Sequence, residues 1–262
     1  MPHRVPPQTA VNLAEMPTRA GSFHDDRPQA EEEFKQLRDE LAQLQNVLYA
    51  QGTDKLLIVL QAMDAGGKDS TIRKVFRGVN PRGVRVTSFK APTKEELAHD
   101  FLWRIHKAVP ASGMIGVFNR SHYEDLLVPR VDNLVPEETW RARYEQINDF
   151  EKLLTASGTR ILKFYLHISL EEQKERFQKR LDRPDKNWKF NSGDLATRKK
   201  WDQYMTAFEE VFLRCSPETA SWHIIPADQK WYRNLAISRV IVAAIREMNP
   251  QYPPGEEGLD QV

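Results

Sequence analysis

Leu60-Gln61-Ala62-Met63-Asp64-Ala65-Gly66-Gly67-Lys68-Asp69-Ser70-Thr71 is the stretch on which the fold turns. It ends a short apolar run over residues 56–61, of the kind that fills a buried parallel strand, and it opens a helical pattern at Lys68. A glycine pair between strand and helix lets the backbone come close to an anion. The helix start then turns its free N–H groups and its positive dipole end toward that anion. Lys68 adds a point charge that bridges phosphate oxygens. Ala65, Gly66, Gly67, Lys68, Asp69 and Ser70 are therefore the candidate phosphate-binding residues.

The match to G-x-x-x-x-G-K-[ST] is incomplete. Ala62 occupies the first glycine position, and Asp69 stands where Ser or Thr usually meets magnesium. Taken alone, Gly-Gly-Lys also suits a plain turn into a helix. Asp64 would repel a bound phosphate unless a divalent cation lay between them, which makes it a candidate metal ligand. The alternative is an aspartate that accepts hydrogen bonds from the loop's own N–H groups.

Outward from this loop, apolar runs at 84–89, 114–119, 160–168 and 222–226 read as further strands. Helical patterns lie between them at 68–79, 94–108, 136–156, 170–181, 199–214 and 231–248. This alternation predicts an α/β fold with a five-stranded parallel sheet flanked by helices, and it favours the phosphate-loop reading. From Glu31, Phe34, Leu37, Leu41, Leu44 and Leu48 recur at helical spacing and predict an amphipathic helix packed on the same domain. Residues 1–30 carry Pro2, Pro6, Pro7, Pro17 and Pro28 without apolar periodicity, which reads as an extended arm or as plain disorder. The polar segment 182–198 breaks the rhythm and predicts a lid spanning about residues 175–205.

The strand at 114–119 ends in Asn119-Arg120-Ser121-His122-Tyr123-Glu124-Asp125. In phosphate-loop folds this strand commonly ends in a metal-holding carboxylate. Here Asn119 takes its place, with Glu124 and Asp125 one turn later. Asp64, Asn119 and Asp125 are thus the candidate metal ligands. Arg120 is placed to neutralise a transferring phosphoryl group, and Arg130 is a further candidate. For each arginine an ordinary surface ion pair is the competing reading.

The chain has 38 Lys and Arg against 37 Asp and Glu, a net charge of +1. That excludes an indiscriminate polycation but says nothing of distribution. Between Lys68 and Lys90, seven basic residues stand against one acid; between Lys174 and Lys200, ten stand against four. Two blocks of +6 therefore leave −11 for the remainder. Lys74 and Arg77 extend the first block along the loop's helix, as if the anion were longer than a triphosphate. Arg176, Arg180 and Arg183 are the candidate lid arginines, which stabilise charge and exclude water. The single cysteine, Cys215, forms no internal disulfide and reads as a small hydrophobe near a helix end. With no apolar run of membrane length and no secretory pattern, the expected compartment is the cytoplasm.

The segments Ala62–Asp69, Asn80-Pro81-Arg82-Gly83-Val84, 99–106, 117–125, 189–195 and Pro226-Ala227-Asp228-Gln229-Lys230-Trp231-Tyr232 resemble the polyphosphate kinase 2 family. The resemblance covers about residues 30–250, in order. It implies a P-loop kinase fold of the thymidylate-kinase-like type over residues 31–262. It also implies reversible phosphoryl transfer from inorganic polyphosphate to AMP or ADP, with Mg2+ or Mn2+ as cofactor. By position, Asp64 and Lys68 match the family's loop acid and lysine, and Asn119-Arg120 matches an Asp-Arg pair that many members carry. The Asn, followed by Glu124-Asp125, resembles the subgroup acting on both AMP and ADP. The resemblance thus makes Asp64, Lys68 and Arg120 the catalytic candidates. Asn119, Arg120, Glu124, Asp125 and Arg130 become the candidates for holding an adenine or guanine nucleotide. An ATP-dependent nucleotide or metabolite kinase, or a binding protein without turnover, are the alternatives. Nucleic acid and membrane are not expected partners, and a homo-oligomer through the arm and first helix is open.

Overall fold

The computed structural model describes residues 2–185, 187 and 192–255. Five strands form one parallel sheet: β1 (Lys55–Gln61), β2 (Val84–Ser88), β3 (Ile115–Asn119), β4 (Thr159–His167) and β5 (Trp222–Pro226). Their spatial order is β2-β3-β1-β4-β5. The helices are α1 (Arg27–Gln51), α2 (Lys68–Val75), α3 (Lys94–Leu97), α4 (Trp103–His106), α5 (Glu124–Val131), α6 (Glu137–Ala156), α7 (Leu170–Leu181), α8 (Ser192–Lys199), α9 (Trp201–Arg214) and α10 (Lys230–Met248).

β1 is apolar without alternation because both its faces are covered. Leu57 and Val59 join the core under α6 and α9, whereas Leu56, Ile58 and Leu60 join the core under α1 and α10. Successive side chains of a strand point to opposite faces, so one run of leucines feeds two cores. β1 lies between β3 and β4, where the strand order reverses. Such a reversal opens a crevice at the carboxyl ends of the strands. Leu60 pairs in register with Asn119, so the phosphate loop and the end of β3 emerge side by side.

Three boundaries depart from the sequence reading. The pattern at 94–108 is two single turns, because Asp100 accepts the Leu102 N–H at 2.9 Å and starts a new turn. The helix predicted to run to residue 79 stops at Val75, ahead of Gly78 at φ 94°. The helix predicted over 199–214 is α9, which starts at Trp201, while α8 lies in the segment read as a lid and α5 was not foreseen at all. It carries Pro129 internally and is only 8 residues long, too brief for a periodic signal.

The arm is ordered and ends at Asp26, the N-cap of α1. Arg4 bridges His223 in antiparallel fashion, the Val5 N–H donates to Trp222 O, and Leu13 is buried. It therefore covers the outer edge of β5, an edge that would otherwise be open to foreign strands. α1 packs on α10 through its leucines and through bidentate pairs, Arg239 with Glu33 at 2.6 Å and Arg246 with Glu40 at 2.6–2.7 Å. Cys215 caps the end of α9 and is fully buried, and burial pushes its thiol up to about 12. No helix among the described residues is long and apolar enough to cross a membrane.

Candidate active site

The loop between β1 and α2 is shaped by its small residues. A Cβ on Gly66 would lie 2.4 Å from the Ala62 Cβ, so only glycine fits. Gly67, the N-cap of α2, has φ 105°, a conformation that glycine adopts without strain. Ala65 also has positive φ, at 59°. The Lys68 ammonium donates back to the Ala62 carbonyl at 2.8 Å, curling over the loop. Burial and the nearby Arg120 lower the Lys68 pKa, while Asp64, Glu124 and Asp69 oppose the shift.

The end of β3 supplies the facing wall. Arg120 has φ 63°, and its N–H donates to Leu60 O at 3.1 Å, locking the turn beside the loop. Its guanidinium meets Asp64 at 2.9 Å. Asn119 donates to Asp69 at 2.6 Å, which leaves the Asn119 carbonyl oxygen available. With its amide nitrogen turned toward Glu124, Gln61 donates to that carboxylate at 2.8 Å and accepts from Ser121. Burial pushes the Glu124 carboxyl above its usual range, while the Arg120 and Lys68 charges pull it back. Together Ala62, Asp64, Arg120, Glu124, Thr197 and Tyr204 line a small open cleft.

α7 holds the loop from behind. Gln173 donates to Asp64 O at 2.9 Å, and one Arg176 nitrogen donates to Ala65 O and Gly66 O at 3.0 and 2.9 Å. The other terminal nitrogen of Arg176 donates to Ala227 O and Asp228 O. With its carbonyls bound at the back, the loop is held in place. Arg176 was expected among the lid arginines, but its head is spent on these carbonyls and on Glu172 at 2.7 Å. Arg180 reaches Asp194 at 3.4 Å, and Arg183 pairs with exposed Asp185 at 2.9 Å. Lys186, Lys189, Phe190 and Asn191 of the expected lid, and the domain's last residues 256–262, lie outside the described residues.

Several expected residues stand apart from the cleft. Asp125 is held by Arg104 and Arg143, each at 3.6 Å, away from Asp64. Arg130 pairs with Glu210 at 2.6 Å and stacks on Trp140. Lys74 on α2 and Arg77 two residues past its end are exposed, and neither makes an ion pair among the described residues. The acidic Asp194 of α8 was not singled out, yet the charges of Asp64, Arg120 and Lys68 all act on it. Its signal lay inside the segment 189–195, but only the folded chain brings it within range of these three charges. Thr197, Tyr204, Gln173 and Arg233 were missed as well, because they come from distant helices.

No three His, Cys, Asp or Glu residues gather as a metal cage among the described residues. The hard oxygens of Asp64 and Asn119, with Asp69 beside them, suit a cation that takes one or two protein oxygens and completes its shell with phosphate and water.

A parallel sheet in this order, with a glycine-lysine loop at the reversal, defines a P-loop protein of the kinase type. The chain belongs to the polyphosphate kinase 2 family, whose model matches residues 24–253. An AMP/ADP-polyphosphate phosphotransferase of Meiothermus ruber is 49% identical over 261 residues, spanning 99% of this chain and 98% of the relative. An ADP-polyphosphate phosphotransferase of Rhodopseudomonas palustris is 42% identical, over 93% of this chain and 88% of its own. The crystal structure of polyphosphate kinase 2 from Arthrobacter aurescens TC1 superposes with a TM-score of 0.94 at 40% identity, covering 99% of this chain and 93% of that one.

Proposed function

We propose that this protein transfers a phosphoryl group, reversibly, between inorganic polyphosphate and AMP or ADP. The observation that carries the reading is the joining of two features at one loop. Asp64, Lys68 and Arg120 interact at the loop, and the exposed cations Lys74, on α2, and Arg77, just past its end, continue outward from it. A nucleotide fills the cleft, and a phosphate chain runs from the loop along the basic stripe.

A terminal phosphate oxygen of the acceptor nucleotide attacks the terminal phosphorus of the polyphosphate. The P–O bond to the rest of the chain breaks, and the shortened chain leaves with the bond's electrons. The attacking oxygen is already an anion at neutral pH, so no base is needed. Catalysis is then positioning and charge stabilisation. Lys68 and the α2 N-terminus hold the transferred group, and Arg120 neutralises charge in the in-line transition state. Asp64, with Asn119, would hold a divalent cation, which would offset repulsion between the two phosphates. Glu124 and Tyr204 line the acceptor side of the cleft.

The deciding experiment incubates the protein with polyphosphate, Mg2+ and AMP or ADP, without ATP, and separates the products by chromatography. ADP and ATP are expected to form. No product from polyphosphate, together with turnover from ATP and a small acceptor, would overturn the reading.

A further inference from the structure

Behind the phosphate loop lies a charge that the proposed chemistry has not used. Arg233, in the first turn of α10, is 1% exposed. Its guanidinium packs against Gly67: a Cβ built on that glycine would lie 2.2 Å from Nη1. Nε and Nη2 donate to Asn234 Oδ1 at 3.2 and 2.9 Å, and Nη2 also donates to Ser70 Oγ at 3.2 Å. Nη1 is buried with no hydrogen-bond partner among the described residues.

The surroundings make this placement costly in the free protein. The neighbouring charge is another cation, Arg176, and burial followed by Arg176 pushes the Arg233 pKa down to about 9. Arg176 itself has Glu172 at 2.7 Å, whereas no carboxylate pairs with Arg233 among the described residues. Arg233 also sits near the positive ends of two helices, α2 and its own α10, where a cation is disfavoured. A buried cation without a counterion opposes folding. All these positive features point at one place, the loop.

We propose that Arg233 is a buried cation of the phosphate seat, left without a protein counterion so that the bound phosphate chain becomes its counterion. It acts through space across Gly67 and is a positioning residue, not a catalytic one. The inference rests on the polyphosphate reading above and assigns to that site a stability linkage. The free enzyme is held below its attainable stability, and substrate restores it.

The test compares wild type, Arg233→Gln and Arg233→Lys by thermal unfolding with and without tripolyphosphate, and by separate KM values for polyphosphate and ADP. Without ligand, Arg233→Gln should unfold at the wild-type temperature or above. Its stabilisation by tripolyphosphate should largely vanish. Its KM for polyphosphate should rise about ten-fold, as expected for one charge acting across several ångströms. Its KM for ADP should stay near wild type, and Arg233→Lys should recover most of the loss. Wild-type ligand stabilisation and wild-type KM in Arg233→Gln would overturn the proposal. Failure of that variant to fold would also overturn it, since the charge would then be compensated within the protein. A wild-type enzyme neither stabilised by tripolyphosphate nor able to make ATP from ADP and polyphosphate would sink the functional reading itself.

Discussion

Arg120 Nη2 lies 2.9 Å from Asp64 Oδ1, so the strand-end arginine and the loop carboxylate hold each other across the mouth of the cleft. Both are partly exposed, at 39% and 18%, and both are therefore accessible to a ligand. An arriving phosphate offers Arg120 a second anion, and an arriving cation offers Asp64 a second partner.

Asp64→Asn removes that carboxylate at nearly constant volume. Turnover of ADP with polyphosphate should fall by about 2–4 kcal/mol in the barrier, by analogy with loss of one stabilising group in other enzymes. Initial rates across a Mg2+ titration check this. Near-normal kcat would remove Asp64 from the chemistry.

Lys74 and Arg77 lie beyond the reach of a nucleotide's own phosphates if the loop holds the reacting group. Lys74→Glu with Arg77→Glu should raise KM for long polyphosphate by about ten-fold or more and flatten its dependence on salt. KM for tripolyphosphate should change much less. Equal effects on both donors would argue that the chain does not follow α2.

The wall that carries Arg120 is braced by a buried ion pair. Lys163 Nζ donates to Glu151 at 2.6 Å, to Tyr123 Oη at 2.7 Å and to Cys215 O at 2.8 Å. Burial raises the Glu151 pKa, but Lys163 and His122 outweigh it and leave it lowered. Removing one partner strands the other, so Lys163→Met should cost about 3–5 kcal/mol in urea unfolding. The double variant with Glu151→Gln should recover part of this loss. Simple additivity of the two losses would deny the coupling.

The arm should loosen in acid. His3 and His223 both lie where the arm meets β5; burial first, aided by neighbouring positive charge and opposed at His223 by a backbone hydrogen bond with Lys163, lowers both pKa values to about 4. His3 also shares a hydrogen bond with Tyr232 Oη at 2.6 Å. The unfolded chain binds these protons near pH 6.5, before the folded one does. Stability is thus fully present above that pH and is lost as pH falls from about 6.5 toward 4. Hydrogen exchange of residues 2–20 between pH 7 and pH 4.5 should show the arm releasing first, and His3→Phe should shrink the effect. Exchange independent of pH in that range, after correction for the intrinsic rate, would refute it.

The parallel sheet and its loop were legible in the sequence because both are local. Residues 56–61 announce a strand by an apolar run, and Gly66-Gly67-Lys68 announces a phosphate seat by its contiguity. Residues 170–181 form α7 with the predicted ends, since Ser169 caps them and the pattern is amphipathic. Asp64 became a candidate from its place in the loop after β1, and Arg120 and Glu124 from theirs just after β3.

What tertiary structure alone decided is where equally charged side chains spend their charge. Arg176, Arg130 and Asp125 have the composition of site residues, yet packing gives each a partner of its own. Arg233 looks like a surface arginine in α10 and is instead buried behind Gly67. The arm, with no period to betray it, is ordered by the open edge of β5. A period or a glycine pair is written in neighbouring residues. The partner of a long charged side chain is chosen by contacts made tens to more than a hundred positions away, which the chain acquires only when it folds.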